Sequence, residues 1–527
     1  MSAAEQTRQP KWSHLTPVFL PLVALLSAAG YVLLARAQGL VGFPLDDAWI
    51  HQTYARNLAT SGQLAYLPGQ PSAGSTSPAW SFLLSVGYLL DIDFRLWAYV
   101  LGALSLAATA WLVYRLTLRL TPRQPLAALL AGLFCALEWH LVWAAASGME
   151  TMLFTALSLA LLEYLFSHLA ERRDQEGPQG LRTERQLVSA VGIGLLSGLL
   201  VLTRPEGLGL AGLVVAALLA LPWPPEKSQI KRRLLTAGVA LAGLALLLTP
   251  YFAFNLRTAG SLFPNTFYAK QAEYRFAISL PRRFWRVFSP TIVGAQVLLL
   301  PGFGYAAYRL LRNRDWAALL PLVWWLAFLS VYALRLPVNY QHGRYSIPTI
   351  PLLLVYGTWG TALLLRPRPP SLAIRVLSRA APTAIGLLAL LFWLRGAQAY
   401  QQDVGFIEGE MVATARWLEE NTAPDDLIAV HDIGAVGYLT DRPLLDLAGL
   451  ISPEVVPFVS DADRLAEWMI QQGANHAVFF ADFSPAYARL AADPRLQVVH
   501  CTGYAWTRSV GHENLCIYRI AAGDGSP

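Results

Sequence analysis

Residues 76–90, TSPAWSFLLSVGYLL, decide how the rest of the chain is threaded. The segment is apolar, but it falls short of the roughly 20 residues an α-helix needs to cross a hydrocarbon core. Around it lie apolar segments of spanning length at about 15–37, 94–114, 125–146, 151–168, 187–203, 205–222, 235–254, 290–308, 316–334, 346–365 and 380–399. Backbone in lipid must satisfy its hydrogen bonds internally, so each reads as a helix. If 76–90 does not cross, five basic loops fall on the side of Arg8 and Lys11. These loops carry Arg115/Arg119/Arg123, Arg172/Arg173/Arg182/Arg185, Lys227/Lys231/Arg232/Arg233, Arg309/Arg312/Arg314 and Arg366/Arg368/Arg375/Arg379. Positively charged loops face the cytoplasm, so this parity satisfies the rule and the opposite parity breaks it five times. The pattern predicts an α-helical polytopic membrane protein with about eleven spans. It places the N-terminus in the cytoplasm and 76–90 as a re-entrant or juxtamembrane helix on the outer face.

Composition agrees. Hydrophobic residues make up 55% of the chain and charged residues 14%, well below soluble domains. The net charge of +6 does not indicate a nucleic-acid partner, because the cations sit in short loops between apolar segments. The first apolar run, Leu15–Leu34, ends at Ala35-Arg36-Ala37, which resembles a cleavage site. It is longer than the about 7–15 residues of a signal-peptide core and reads as an uncleaved span.

With this threading the remaining polar segments all face outward: 38–75, Ser147–Glu150, Arg204–Glu206, 255–288, 335–345 and the tail. A lipid or solute transporter, the main alternative, would instead place charges mid-span and carry paired broken helices. No such signal is read in the sequence. The chain divides into a membrane domain, 1–400, with external loops 38–94 and 255–288, and a small extracytoplasmic α/β domain, 401–527. In the latter, LIAVH (427–431), PLLDLAGL, HAVFF (476–480) and LCIYRI (515–520) read as strands, and Met411–Glu420 and DIGAVGYL as helical. Cys501 and Cys516 flank an expected hairpin outside the membrane, where either a disulfide or two buried thiols would fit.

Adjacent carboxylates at Asp46 and Asp47 follow the first span in FPLDDAWIHQTYARNL (43–58). Proximity raises the pKa of one of them, which suits a general base; Asp before an apolar-periodic run equally suits a helix cap. Glu150 in SGMET could assist the base or favour a helix N-terminus. Arg204 and Glu206 in TRPEG could bind substrate or pair with each other. Lys270 in PNTFYAK and Arg344 in YQHGRY suit a phosphate, or could anchor interfacial helices. Asp91-Ile92-Asp93 reads as a turn rather than a metal site, and His431-Asp432 as a turn rather than an acid–base pair.

Taken in order, DDAWIHQTYARNL…YLPGQPSAGSTSPAW, SGMET, LTRPEGL, PNTFYAK, HGRYSIPTIPLL and HDIGAVGYLTDRPLLDLAGL resemble the polytopic GT-C glycosyltransferases. The resemblance favours the branch with mycobacterial terminal arabinofuranosyltransferase-like proteins, with protein mannosyltransferases and lipid A aminoarabinose transferase more distant. It implies a polyprenyl-phosphate donor at the cell membrane. A hexosyl or pentosyl unit would pass to the hydroxyl of an extracytoplasmic glycan, lipid or protein acceptor. The family's loop carboxylate base falls on Asp46 or Asp47, with Asp47 preferred, and Glu150 would assist. Lys270, Arg344 and Arg204 would hold the phosphate, and His51, Arg56, Glu206, Asn265, Tyr268 and His342 are candidates for substrate contact. Some relatives require a divalent metal; no ligand set is legible here, so transfer without metal or cofactor is expected.

Overall fold

The computed structural model of the chain describes residues 15–173, 179–221, 230–273, 278–365 and 371–521. Arg8, Lys11, Lys227, Arg366 and Arg368 lie outside them, as do the side chains of Arg173 and Arg182. Helix α1 (Thr16–Ala37) is followed by α2 (Asp46–Ser61), a short hairpin of β1 (Ala65–Leu67) and β2 (Gln70–Pro71), and α3 (Pro78–Leu89). The bundle continues with α4 (Phe94–Leu120), α5 (Pro125–Leu137), α6 (Trp139–Ala145), α7 (Thr151–Arg173), α8 (Gln179–Thr203), α9 (Gly207–Ala220) and α10 (Ile230–Ala259). Next come α11 (Asn265–Glu273), α12 (Leu280–Phe288), α13 (Leu300–Asn313), α14 (Trp316–Arg335), the single turn α15 (Tyr340–Gly343), α16 (Ile350–Leu364) and α17 (Leu372–Ile407).

Among the described residues eight helices are long and apolar enough to cross a membrane, or ten if two bent pairs each count as one span. The expected sixth span corresponds to α9, a shorter apolar helix. Helix α3, the segment on which the threading turned, is only 12 residues long and packs against α2 and α8. Close helix contacts rely on small residues, as is usual in membrane bundles. A Cβ at Gly360 of α16 would lie 1.8 Å from the Gly302 carbonyl oxygen of α13. Basic residues gather at the end of the bundle away from α2. There Arg115 and Arg119 flank Glu163 at 3.0 and 2.7 Å, and Arg172 and Arg233 donate to the Leu218 and Leu219 carbonyls at the end of α9.

One expectation is corrected. The two bent pairs are broken segments that meet, and a buried acid sits at the junction. Helices α5 and α6 bend by 53°, and the stretches Leu280–Ile292 and Ala295–Asn313 bend by 104°. Glu138 caps α6 by accepting from the Leu141 N–H, contacts His140 Nδ1 at 2.7 Å, and accepts from Gln296 Nε2 at 3.3 Å. Trp139 donates across the same junction to the Val293 carbonyl. In the sequence Glu138 is a lone charge in an apolar run, and nothing local shows that it caps a second helix.

Beyond α17 a π-helical turn, Glu408–Val412, leads into α18 (Ala413–Asn421), so one continuous rod joins bundle and tail. The tail holds β3 (Ile428–Val430), α19 (Ile433–Leu439), β4 (Leu444–Asp446), α20 (Ala462–Gln471), β5 (His476–Phe479), α21 (Pro485–Ala491), β6 (Leu496–Cys501), α22 (Ala505–Ser509) and β7 (Cys516–Ile520). The strands form one sheet in the order β4-β3-β5-β7-β6, with β3 parallel to β4 and β5, and β7 antiparallel to β5 and β6. Register places Cys501 opposite Cys516, and the two are joined by a disulfide. Strand β6 was not anticipated; its solvent-facing Gln497 and Val498 lack the buried-strand pattern of the others.

Candidate active site

The first turn of α2 lies between the bundle and the C-terminal sheet, and its two carboxylates have different surroundings. Asp46 is buried and turned toward the tail, where Oδ2 accepts from the Gly434 N–H at 2.7 Å and Oδ1 from the Ala435 N–H at 2.8 Å. It thereby closes the open N–H groups that begin α19, a capping role supplied by a residue far away in sequence. Burial, with Asp432 close by, pushes its carboxyl up to about 7. The backbone approach is tight: a Cβ at Gly434 would lie 2.1 Å from the Asp46 carbonyl oxygen. Gly434→Ala is therefore expected to lift α19 off α2, read as faster proteolysis of the tail in the full-length protein.

Asp47 points the other way, into a cavity of about 470 Å³. Its Oδ2 is ion-paired with Arg344 Nη2 and lies 3.5 Å from Lys270 Nζ. Burial alone would raise its pKa, but the two cations hold the carboxyl well below the ordinary range. The Tyr345 hydroxyl accepts from Arg344 at 2.9 Å and from Lys270 at 3.2 Å, completing a four-residue cluster. On the far wall His51 Nε2 sits 3.2 Å from Glu150, whose other oxygen is 3.6 Å from Arg204 Nη1. Arg204 also reaches Glu206 at 3.4 Å and donates to the Tyr332 hydroxyl at 2.6 Å. Burial works against the Glu150 charge, yet His51 and Arg204 hold its carboxyl well below the usual range. The Arg204 guanidinium also lies 5.6 Å from the Tyr345 ring centre, so aromatic rings bridge the two clusters.

Of the sequence candidates, Asp47, His51, Glu150, Arg204, Glu206, Lys270 and Arg344 line this one cavity. Five are not brought into it. Asp46 faces α19. Arg56 donates to the Tyr438 carbonyl at 2.9 Å and pairs with Asp441, fastening α2 to the tail. Asn265 and Tyr268 lie on another face of α11 from Lys270 and line a separate groove with Phe458. His342 contacts Asp403 of α17 at 2.7 Å, and Asp403 also accepts from Trp143. That contact braces a backbone in which Gln341 and His342 both have positive φ, immediately before Arg344. Tyr345 and Tyr332 were missed. Tyr345 sits beside Arg344 in a motif already singled out, whereas Tyr332 lies within an apolar span and outside every motif singled out. Asp93 caps α4 by accepting from the Arg95 and Leu96 N–H groups, as the turn reading expected.

Comparison with known proteins follows the same outline. Residues 395–518 match a domain of unknown function (DUF8728). No curated protein sequence matches the chain. Among solved structures it is similar to ArnT from Cupriavidus metallidurans bound to undecaprenyl phosphate. That match has TM-score 0.62 and 18% identity over 98% of this chain and 100% of that one. It is also similar to the archaeal oligosaccharyltransferase AglB from Archaeoglobus fulgidus in complex with an inhibitory peptide and a dolichol-phosphate. There the TM-score is 0.60 at 14% identity, over 90% of this chain and 70% of that one. The likeness runs from end to end and agrees with the span pattern: the chain has the GT-C fold, that of a polytopic membrane protein.

Proposed function

We propose that this protein transfers a sugar from a polyprenyl-phosphate donor to an acceptor hydroxyl at the extracytoplasmic face of the cell membrane. The observation that carries the proposal is the convergence on one cavity of Lys270, Arg344 and Arg204 with the carboxylate of Asp47, which the first two cations contact directly. The donor's phosphate suits the cations, and its lipid tail suits a bundle of apolar helices. Asp47 then takes the proton of the acceptor hydroxyl. That oxygen attacks the anomeric carbon, the carbon–oxygen bond to phosphate breaks, and the lipid phosphate leaves with the bonding electrons. Attack opposite the leaving group inverts the anomeric centre. Lys270 and Arg344 stabilise the charge that develops on the phosphate.

In the free protein the Arg344 and Lys270 charges beside Asp47 weaken it as a base. A bound phosphate shares those cations and raises the Asp47 pKa, so donor binding switches the base on. Glu150 is matched by His51 and Arg204, which suits holding sugar hydroxyls more than a second proton transfer. A divalent metal fits the site poorly: the three cavity carboxylates, Asp47, Glu150 and Glu206, are already paired with cations, and no three metal-ligating side chains converge among the described residues. The step is written without one.

Arg344→Ala removes the cation that pairs most closely with Asp47 and is proposed to hold the donor phosphate. Charge-assisted hydrogen bonds contribute about 1.5–3 kcal/mol each, so undecaprenyl phosphate binding to the protein in nanodiscs should weaken by roughly ten- to a hundredfold. Unchanged affinity would remove the phosphate role. A transporter or flippase is the second reading, favoured by the broken segments meeting at Glu138 and Gln296. Neither residue lines the cation-bearing cavity, which places the junction apart from the candidate substrate. Movement of a labelled polyprenyl phosphate across vesicles without sugar transfer would support that reading.

A further inference from the structure

Asp47 has a second opening. On the tail side of α2 the lining of a crevice of about 100 Å³ includes Asp46, Asp47, Lys270, Gln341, Arg344 and the His431-Asp432 pair. About 10–15 Å³ of such space holds one water, so the crevice takes the edge of a small polar molecule and is too small for a lipid chain. Its chemistry differs from that of the larger cavity. The tail contributes a carboxylate, Asp432, rather than a cation. His431 Nδ1 lies 3.2 Å from Asp432 Oδ2, and the His431 ring packs 4.2 Å from that of Phe483, which fixes the pair in place. Arg344 and Lys270 form the partition shared by the two spaces, with Asp47 between them.

A carboxylate from the tail and an amide from α15, lining the same crevice as the candidate base, match neighbouring hydroxyl groups: one hydroxyl would donate to Asp432, another would meet Gln341, and a third would reach Asp47. A phosphate is disfavoured beside Asp432. We infer that this crevice is the acceptor subsite, that the acceptor is a carbohydrate rather than a protein or lipid hydroxyl, and that Asp432 and Gln341 orient it. The inference rests on the transferase reading above and names its second substrate. It also gives the His431-Asp432 dipeptide, read from sequence as a turn, a binding role.

The test uses full-length protein in nanodiscs, a polyprenyl-phosphate sugar as donor, and a panel of methyl glycosides as acceptor probes. Asp432→Asn and Gln341→Ala should each raise the KM for the methyl glycoside at least tenfold and leave the donor KM within twofold. Arg344→Ala, which removes a cation shared by both spaces, should raise the donor KM more than the acceptor KM. Equal effects on both substrates, or none on the acceptor, would overturn the subsite. Saturation-transfer NMR reads methyl glycoside binding without turnover. Binding by the wild type that is lost in Asp432→Asn supports the subsite even where transfer fails, and binding unchanged in that variant overturns it. A wild type that consumes no lipid-linked donor, by contrast, counts against the transferase reading itself.

Discussion

Asp47→Asn should slow transfer at least about a hundredfold while the protein still folds and still binds its lipid donor. General-base catalysis contributes typically about 10²–10⁴-fold, and the isosteric amide removes the base without opening a gap. The substitution also frees Arg344 and Lys270 from their counter-charge. Donor affinity should therefore hold or improve as kcat falls, a split that a general structural defect would not produce. The pH profile gives an independent reading. In the free protein the Asp47 carboxyl is held well below the ordinary range, so it stays ionised until the pH falls through that depressed value. The acidic limb of kcat/KM should lie below the unperturbed Asp value of about 3.9, and Lys270→Met should move it upward. Asp46→Asn should behave differently, weakening the attachment of the tail without the same split, because its oxygens are already used by Gly434 and Ala435.

Glu410→Ala should be the most destabilising single change in the tail. Glu410 is completely buried in the π-helical turn, and its carboxylate accepts from four groups of the last strand region. These are the Thr502 and Thr507 hydroxyls, Asn514 Nδ2 at 2.7 Å and the Leu515 N–H at 3.0 Å. Each buried donor left without a partner costs about 1–3 kcal/mol, so a loss of about 4 kcal/mol or more is expected. Thermal unfolding followed by protease cleavage between residues 413 and 521 measures it. Glu410→Gln, which keeps the volume and one acceptor oxygen, should cost clearly less. A wild-type melting profile for Glu410→Ala would show that the contact does not hold the tail to the rod.

How much of this was legible in the sequence depended on the range of the interaction. Span positions follow from local composition, and the threading through 76–90 follows from loop charge; both are written within twenty or so residues. The strands ending near Val430, Asp446, Phe479 and Ile520 carried their own buried pattern. Asp47, Lys270 and Arg344 were singled out by type and motif, yet their meeting depends on loops more than 200 residues apart. The Asp46–Asp47 ambiguity could not be settled locally, since both readings apply, one to each residue: Asp46 caps α19 and Asp47 faces the cavity. The capped helix is not the one that follows in sequence, and no local pattern signals that. Glu410 and Glu138 were passed over for the same reason, because their partners lie on distant elements. Arg56 and His342 were read as substrate contacts since polar residues in a marked loop look alike until their partners, Tyr438 and Asp403, are placed.

Consumption of a lipid-phosphate sugar at the cavity containing Asp47 can be followed directly. The most direct measurement is the fate of a radiolabelled polyprenyl-phosphate sugar incubated with the purified full-length protein in nanodiscs alongside membrane-derived acceptor. Wild type should move the label from the lipid to a water-soluble or acceptor-bound product and release free polyprenyl phosphate in equal amount. Asp47→Asn should do so at least about a hundredfold more slowly. Label that stays on the lipid with wild type, or that leaves it at the same rate with Asp47→Asn, would rule out donor consumption with Asp47 as the base.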